Sequence, residues 1–375
     1  MNVPANDPDA GAFVAQTTEY LPIGLLSQIA ASLDVSETRT GTLVTGYAWI
    51  AAITAIPFTL ATQRIPRRTL FLGLLGIISL TNGMAALTPT FPLLIMLRLI
   101  TALTHGVFWS IIAAYAVRLY PDIPASRATA WVLGGISLAL VAGVPAATAV
   151  GHWMGWRVSF SAYATLGGAA LWLGYRFLPV SRDISASTFV CGLPRGPASL
   201  YVTVLVTVLA VTTHFVGYTY VVPILTKTVH LPENRHAIIL MVFGVAGVVA
   251  TWLAGWLALR PFILALIATF GVVASQATLL LTGTTGWVWL AMPLWGASVA
   301  ILIVGLQSWV IEMAPNQPDA ASSLYVAAFN FGIGSGALVG GIILSQNGSA
   351  AVLMAGFSLG VIALLSFLIL WQIQR

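Results

Sequence analysis

The chain has 375 residues, of which 59% are hydrophobic and only 7% are charged, and its formal net charge is +5. A soluble domain carries about 25% charged residues because its surface faces water, so this composition excludes a water-soluble globular protein. The basic residues fall in short clusters between apolar segments, which is typical of the inner-side loops of membrane proteins, and we therefore expect a lipid environment and no nucleic-acid partner.

Long apolar segments follow one another along the whole chain with short polar breaks. A bilayer core about 30 Å thick needs roughly 20 apolar residues per helix, and the segments have about that length or more. They are continuously apolar and do not alternate, which favours helices over an outer-membrane barrel. We predict an all-α integral membrane protein of about twelve transmembrane helices: 11–32, 40–62, 69–88, 91–117, 126–149, 156–178, 198–226, 236–258, 261–282, 286–311, 320–344 and 349–372.

The arginine and lysine residues of the loops predict the orientation. Taken alternately, the loops on the side of the N-terminus carry Arg64, Arg67, Arg68, Arg118, Arg127, Arg176, Arg182, Arg195, Arg260 and Arg375. The loops on the other side carry only Arg39, Arg157, Lys227 and Arg235. Because the side richer in basic residues is normally cytoplasmic, we expect both termini to lie in the cytoplasm.

The longest polar break divides the chain into two halves. We predict an N-terminal six-helix bundle at 1–178, a cytoplasmic linker at 179–197 and a C-terminal six-helix bundle at 198–375. The halves weakly resemble each other, since the first span carries Pro22 and the seventh carries Pro223. Two related six-helix halves around a central cavity are one of the known plans of transporters.

Three ionisable side chains of the first half, Glu19, Arg98 and His105, lie inside predicted spans. A charge at the bilayer centre costs at least about 2.5–3.5 kcal/mol, so such residues usually face the protein interior and find partners. Arg98 and His105 are seven residues apart, which places them on one helix face about 10 Å apart. Arg98 cannot lose its proton and needs an acid or a set of carbonyls, and Glu19 is the only carboxylate deep in this half. We interpret the three as a proton-coupling group.

Each of these residues also has a purely structural interpretation. Glu19 would then be solvated near a membrane surface, Arg98 would cap a neighbouring helix, and His105 would only join two helices by a hydrogen bond. The functional interpretation needs a carboxylate whose proton affinity responds to a nearby cation, and a histidine whose ordinary pKa near 6.5 suits a proton switch.

A polar and aromatic stripe in TTHFVGYTYVVPIL would suit a sugar-like ligand, which offers hydroxyls and apolar ring faces. His214 and Tyr218 are four residues apart and share a helix face. Alternatively, the stripe is an ordinary packing face with satisfied tyrosine hydroxyls. The candidate substrate-binding residues are Tyr47, Trp109, His214, Tyr218, Tyr220, Gln307 and Asn330.

Small residues at four-residue spacing occur once in each half, in GGISLALVAGVPAATAVG and in FNFGIGSGALVGG. Such spacing lets two helix backbones approach closely, and proline adds a kink. Besides tight packing, we predict a sliding contact between the halves that sets alternating access. The residues concerned are Gly135, Gly143, Pro145, Gly332 and Gly336.

Five runs of the sequence are informative together: TTEYLPIGLLSQIA, GYAWIAAITAIPF, RLITALTHGVFWSI, GVPAATAVGHWMGWR and HFVGYTYVVPIL. They resemble the major facilitator superfamily, specifically the sugar efflux transporters of its drug/proton antiporter branch. The resemblance covers most of the chain. It implies a location in a bacterial inner membrane, and it places the helix-one acid on Glu19, the helix-four arginine on Arg98 and the antiporter glycine–proline motif on Gly143 and Pro145.

The superfamily's loop signature GxxxDRxGRR reads TLATQRIPRR here. Arg64, Arg67 and Arg68 match the signature, but Gln63 replaces its acid and Pro66 replaces its last glycine. The resemblance therefore does not carry over the salt bridge that usually latches the inward face.

The sequence thus predicts a monomeric secondary transporter that exports sugars or sugar-like solutes in exchange for protons by alternating access. Export of small hydrophobic drugs by proton antiport is the alternative, and a nutrient importer of the same fold stays open.

The chain contains no HExxH, GxSxG or paired-carboxylate motif, so we expect no enzyme activity. A single cysteine, Cys191, excludes a disulfide and a cysteine-cluster metal site, and we expect no cofactor or metal.

Overall fold

The computed structural model describes residues 7–62, 64–119, 135, 138–178, 198–257, 259–314 and 318–373. These residues form thirteen α-helices with one π-helical and one 3-10 turn, and they contain no β-strand. The first four and the sixth to tenth predicted spans each coincide with one helix or one helix pair, the last two fall on a single helix, and the fifth is described only at residue 135 and from residue 138 onward. The predicted linker, 179–197, lies outside the described residues.

Seven α-helices belong to the first half: α1 (Asp7–Gly24), α2 (Leu26–Ser32), α3 (Glu37–Ala61), α4 (Arg67–Leu87), α5 (Phe91–Leu119), α6 (Val144–Met154) and α7 (Trp156–Phe177). A π-helical turn, Ala139–Gly143, leads directly into α6. Six belong to the second half: α8 (Ala198–Tyr218), α9 (Val221–Lys227), α10 (His236–Leu257), α11 (Pro261–Thr282), α12 (Thr285–Glu312) and α13 (Pro318–Ile373).

Seven helices within the described ranges are long and apolar enough to cross a membrane: α4, α5, α8, α10, α11, α12 and α13. The apolar stretch of α13 is 50 residues long, which is more than twice the length that one crossing requires. Gly348, with φ of 80°, interrupts this helix between the two spans predicted there. Large apolar side chains such as Leu80, Leu87 and Trp252 are exposed on the outer surface, as expected of residues in contact with lipid.

The first spans of the two halves are broken where the sequence predicts continuous helices. The helix changes course at Leu25 between α1 and α2, and at Thr219 and Tyr220 between α8 and α9. Pro22 and Pro223 lie beside these breaks. Because proline has no N–H and its ring crowds the carbonyl four residues earlier, Pro223 disfavours a regular helix at Thr219, whereas α1 continues past Pro22 to Gly24 before its break.

The largest cluster of buried apolar residues crosses from one half to the other. It joins Tyr20, Ile23, Leu26 and Val44 of the first half to many residues of α8–α13. Direct packing of α3 against α13, and of α10 against the π-helical turn and α6, connects the halves. The region between α1, α8, α10 and α12 is therefore formed by both halves, and the ionisable groups lie next to it.

Three glycines of the two motifs pack within their own half and not against the opposite one. Gly143 packs against Phe13 and Thr17 of α1, while Gly332 and Gly336 pack against α8. Each motif thus lets a helix approach the first helix of its own half, and the predicted sliding contact between the halves was wrong for these three glycines. Pro145 is buried at the start of α6 and Gly135 is buried as well, but no contact between the halves is recorded for either.

Other glycines provide the close approach between the halves. A Cβ added to Gly244 of α10 would meet the backbone carbonyl of Leu140, and one added to Gly334 of α13 would meet the indole of Trp49 in α3. Only a residue without a side chain fits at these positions.

Candidate functional site

A buried carboxylate lies at the centre of the first half. Glu19 on α1 is 8% exposed, and its Oε2 atom lies 3.4 Å from Nε2 of His105 on α5. The same oxygen accepts a hydrogen bond of 3.1 Å from the side-chain amide of Gln16. The structure therefore places two of the three predicted proton-coupling residues in direct contact.

The other ring nitrogen of His105 extends this contact to a third helix. Nδ1 of His105 and the hydroxyl of Tyr47 on α3 are hydrogen-bonded at 3.0 Å. The ring of Trp109 meets His105 edge-on, with 5.8 Å between the ring centroids. A continuous chain of polar atoms thus runs from Glu19 through His105 to Tyr47, and a proton can be held at several of its atoms.

Arg98 binds the backbone of α1 and not the carboxylate of Glu19. Nη1 donates to the carbonyl of Thr18 at 2.7 Å and Nη2 donates to the carbonyl of Glu19 at 3.0 Å. Its guanidinium also lies over the ring of Tyr47, 4.3 Å from the centroid. Of the two kinds of partner that the sequence left open for Arg98, an acid or a set of carbonyls, the structure shows the carbonyls.

Pro22, four residues after Thr18, explains why Arg98 binds the carbonyl of Thr18. The carbonyl of Thr18 would normally accept a hydrogen bond from the N–H of residue 22, but that residue is Pro22. A buried carbonyl without a partner is costly, and the guanidinium of Arg98 supplies the missing donor. The carboxylate of Glu19 is thus left to His105 and Gln16, while a permanent positive charge stays close to it.

In the second half, His214 of α8 lies in a cluster of aromatic rings. Its ring stacks on Tyr218 at 4.8 Å, and its Nδ1 atom accepts a hydrogen bond of 2.9 Å from the indole of Trp295 on α12. Tyr218 stacks in turn on Phe243 of α10 at 5.0 Å. Trp295 was not among the sequence candidates, because a tryptophan in an apolar span is not distinguished from its neighbours until the helices are packed.

A cavity of about 70 Å³ lies between the two halves beside this cluster. Tyr20 and Leu140 line it from the first half, and His214, Tyr218 and Phe329 line it from the second. Tyr20 directly follows Glu19 in the chain and contacts the rings of Phe215 and Tyr218. Neighbouring residues of α1 therefore provide the buried carboxylate and part of the cavity wall.

The other candidate substrate-binding residues lie elsewhere. The hydroxyl of Tyr220 donates to the carbonyl of Ala337 at 2.8 Å, which joins α8–α9 to α13. Gln307 donates to Ser322, and the amide of Asn330 donates to the carbonyl of Val326 on its own helix. Tyr47 and Trp109 belong to the group around His105, as described above. Of the seven candidates, only His214 and Tyr218 line the cavity, and the sequence analysis missed Tyr20, Phe243 and Phe329.

The arginines at the start of α4 and in the loop before it make their described hydrogen bonds to residues of the first half. Arg68 donates to the carbonyls of Tyr175 and Leu178 at the end of α7, at 2.6 and 3.0 Å. Arg67 is partly buried, Arg64 is exposed, and Gln63 lies outside the described residues. The described contacts of this loop thus stabilise the packing of α4 on α7.

One ion pair and one contact between a histidine and a carboxylate join the halves at the end of the molecule where α2, α3, α6 and α9 meet. Lys227 lies 2.5 Å from Glu37, and His152 lies 3.6 Å from Glu233. The hydroxyl of Thr38 also donates to the carbonyl of Gly341 across the halves, at 2.9 Å. A second cavity, of about 310 Å³, lies beside these contacts. The halves are therefore in contact at this end.

The amino-acid sequence of the chain is similar to a known family and to several relatives. The family model of the Major Facilitator Superfamily matches residues 10–325. A "Probable sugar efflux transporter" of Mannheimia succiniciproducens is 31% identical over 375 residues, which cover 96% of this chain and 91% of that protein. A "Probable sugar efflux transporter" of Helicobacter pylori is 33% identical over 360 residues, with 94% and 91% covered.

Solved structures resemble the fold over nearly the whole chain. The crystal structure of nucleoside transporter NupG has a TM-score of 0.76 at 13% identity and covers 98% of this chain and 99% of that one. The crystal structure of the human organic anion transporter MFSD10 (TETRAN) has a TM-score of 0.71 at 14% identity, with 96% and 98% covered. At such low identity these similarities establish the fold alone.

Proposed function

Because the chain belongs to the major facilitator superfamily, we propose that it exports sugars or sugar-like neutral solutes across a bacterial inner membrane in exchange for protons. Two halves would rock around the central cavity and open it to one side of the membrane at a time, with both termini in the cytoplasm. The names of the two relatives described above support the sugar class and the direction of transport.

The observation that carries the proposal is the chemistry of the central cavity. His214, Tyr218, Tyr20 and Thr251 are the lining residues with polar side-chain atoms, in a wall otherwise formed by phenylalanine rings, aliphatic side chains and glycines. The hydroxyl of Tyr218 has no hydrogen-bond partner among the described residues, so it can bind a solute. Sugars offer both hydroxyls and apolar ring faces, and this combination of groups fits them.

The same cavity offers little to a cationic drug. Its described lining residues include no carboxylate, and Glu19 itself does not line it. A cation in a cavity of low dielectric needs a negative partner, so a neutral polar solute fits better. This difference favours the sugar exporter over the multidrug exporter of the same fold.

The space present in the structure is small. Ligand pockets generally measure about 300–1,000 Å³, whereas this cavity has room for several water molecules. We therefore interpret the structure as a contracted form, in which Tyr20 of α1 lies against Phe215 and Tyr218 of α8 and from which the cavity widens when a solute enters.

The coupling to protons is proposed to run through α1. A proton gained or lost at Glu19 changes the charge next to His105, Gln16 and Arg98, and it therefore changes the forces on the broken helix that carries Tyr20 into the cavity wall. Substrate and proton would thus act on the same helix from neighbouring positions, without sharing one site.

Solute counterflow without a pH gradient tests the substrate class. Proteoliposomes preloaded with unlabelled arabinose or isopropyl-thiogalactoside should take up the labelled compound rapidly, and tetraphenylphosphonium should compete weakly. Rapid exchange of the lipophilic cation with no exchange of either sugar compound would replace this proposal with the multidrug alternative.

A further inference from the structure

We propose that Trp295 is a positioning residue, which holds His214 as a hydrogen-bond donor toward the solute in the central cavity. The inference rests on the proposed function for the identity of the solute class, and it adds which atom recognises the solute and what sets that atom's chemistry. It follows from one hydrogen bond, from the burial of Trp295 and from the free side of the His214 ring.

The hydrogen bond between the two side chains fixes the tautomer of His214. An indole N–H can only donate, so Nδ1 of His214, 2.9 Å away, has to carry a lone pair. A neutral imidazole has one N–H, which must then be at Nε2. His214 is thereby a donor at the nitrogen that faces away from Trp295.

That donor is free to bind a solute. Nε2 of His214 has no hydrogen-bond partner in the part of the chain that the structure describes, and the residue lines the central cavity. Tyr218, stacked on His214 one turn further along α8, adds a hydroxyl that can donate or accept.

Trp295 is held firmly enough to impose this arrangement. Its side chain is fully buried, and its ring meets those of His214 and Tyr218 edge-on. A Cβ added to Gly217 of α8 would meet the indole at 2.9 Å, so Gly217 lets the ring lie directly against this helix. The indole therefore has little freedom to turn away from His214.

His105 of the first half has different partners. Its Nε2 faces the carboxylate of Glu19, and its Nδ1 contacts the hydroxyl of Tyr47, which can donate or accept. His105 can gain or lose a proton and keep both contacts, whereas a proton on Nδ1 of His214 would break the bond to Trp295. The chain thus uses one histidine near the proton site and a second, fixed as neutral, at the solute site.

This assignment predicts which solutes the cavity selects. The group that meets His214 has to be an acceptor, such as a hydroxyl, an ether oxygen or a carbon-bound fluorine. A fluoro-sugar should therefore compete better than the corresponding deoxy-sugar at the position that meets His214, because only the deoxy compound lacks an acceptor.

Nitrogen NMR of the protein in nanodiscs tests the positioning step without any transport assay. With ¹⁵N-labelled histidine, and His214→Gln to assign the signals, the wild-type protein should show His214 as the Nε2–H tautomer alone. Trp295→Phe, which removes the indole N–H, should give a mixture of tautomers, while Trp309→Phe should leave the signals unchanged. Trp309 is a suitable control because it is buried on the same helix between Phe262 and Phe367, not beside His214. An Nδ1–H tautomer in the wild-type protein would overturn the proposal.

Counterflow kinetics test whether the fixed donor is used. For the transported sugar, Trp295→Phe should raise KM about twofold and leave the maximal rate nearly unchanged, because in a mixture of tautomers only part of the protein presents the donor at Nε2 of His214. In a His214→Gln background the same change should have no effect on KM, since an amide group donates without help from the indole. Equal effects of Trp295→Phe in both backgrounds, or an unchanged KM, would refute this role.

The two measurements also separate this inference from the proposed function. If the wild-type protein exchanges no sugar, the proposed function fails, while the tautomer of His214 is still determined by NMR. If the wild-type protein exchanges sugar but its His214 is a mixture of tautomers, the proposed function is supported and the positioning role of Trp295 is refuted.

Discussion

Among single residues, Arg98 shows how a proline elsewhere in the chain determines the partner of a buried charge. The sequence predicted that Arg98 lies inside a helix and needs either an acid or carbonyls. It could not decide between them, because the free carbonyl of Thr18 only becomes a partner once α5 packs against α1. The position of Pro22, four residues after Thr18, is the one signal that pointed to the carbonyl.

Glu19→Gln should abolish uphill export while solute exchange continues. The amide keeps the shape of the side chain but cannot take up and release a proton, so solute and proton movement are no longer linked. Measurement of accumulation against a gradient and of counterflow in the same vesicles checks this prediction. Glu312→Gln, the same change at an exposed carboxylate of α12, serves as the control. Normal accumulation by the Glu19 variant would remove this carboxylate from the mechanism.

Arg98→Lys should impair the protein although it keeps the positive charge. An ammonium cannot bridge the carbonyls of Thr18 and Glu19 and stack on Tyr47 at the same time, and a lost hydrogen bond to a charged group costs about 1.5–3 kcal/mol. We expect a melting temperature several degrees lower and an export rate at least about tenfold lower, whereas Arg260→Lys at an exposed position should change neither. Wild-type behaviour of Arg98→Lys would show that the bridge is unimportant.

For the helices, the hydrophobic pattern predicted where the chain crosses the membrane but not how the helices bend or meet. Length and apolarity alone define a span, and the described helices follow the predicted spans closely. The breaks near Pro22 and Pro223 were not predicted, because proline is tolerated in membrane helices and only its packing determines whether the helix divides. The cavity wall was largely missed for a similar reason, since Tyr20, Phe243 and Phe329 come from three separate helices.

Gly296→Ala should destabilise the second half. A Cβ at Gly296 of α12 would run into the backbone carbonyl of Phe243 on α10, and backbone cannot move aside as a flexible side chain does. Overpacking of this kind typically costs about 1–3 kcal/mol, so the melting temperature should fall by several degrees. Gly73→Ala is the matched control, because nothing lies within 4 Å of a Cβ added there on α4. Equal melting temperatures for the two variants would contradict the close approach of α10 and α12.

Considered as a whole, the two halves of the described molecule are in contact at the end where Lys227 meets Glu37 and His152 meets Glu233. The distribution of basic residues predicts that this end faces the outside of the cell. The division into two six-helix bundles at 179–197 stays a prediction, because that segment lies outside the described residues. Opening toward the outside would require both contacts to separate.

Reversal of one charge should favour the outward-open form, and reversal of both should restore the balance. Lys227→Glu would place two carboxylates together, and Glu37→Lys would place two cations together. Because an exposed ion pair contributes only about 0.2–1 kcal/mol, each single change should speed the labelling of a cysteine in the central cavity about twofold to fivefold. Ala300→Cys, which lines that cavity, in a Cys191→Ser background would report this with a thiol reagent added outside. If the double reversal labelled as fast as the single variants, the pair would not hold the halves together.

Proton-driven accumulation in inverted membrane vesicles tests the central claim most directly. With an acidic lumen, the vesicles should concentrate labelled arabinose or isopropyl-thiogalactoside above the outside level, and a protonophore should return the label to equilibrium. Uptake that stops at equal concentrations, with or without the pH gradient, would contradict the exchange of solute for protons.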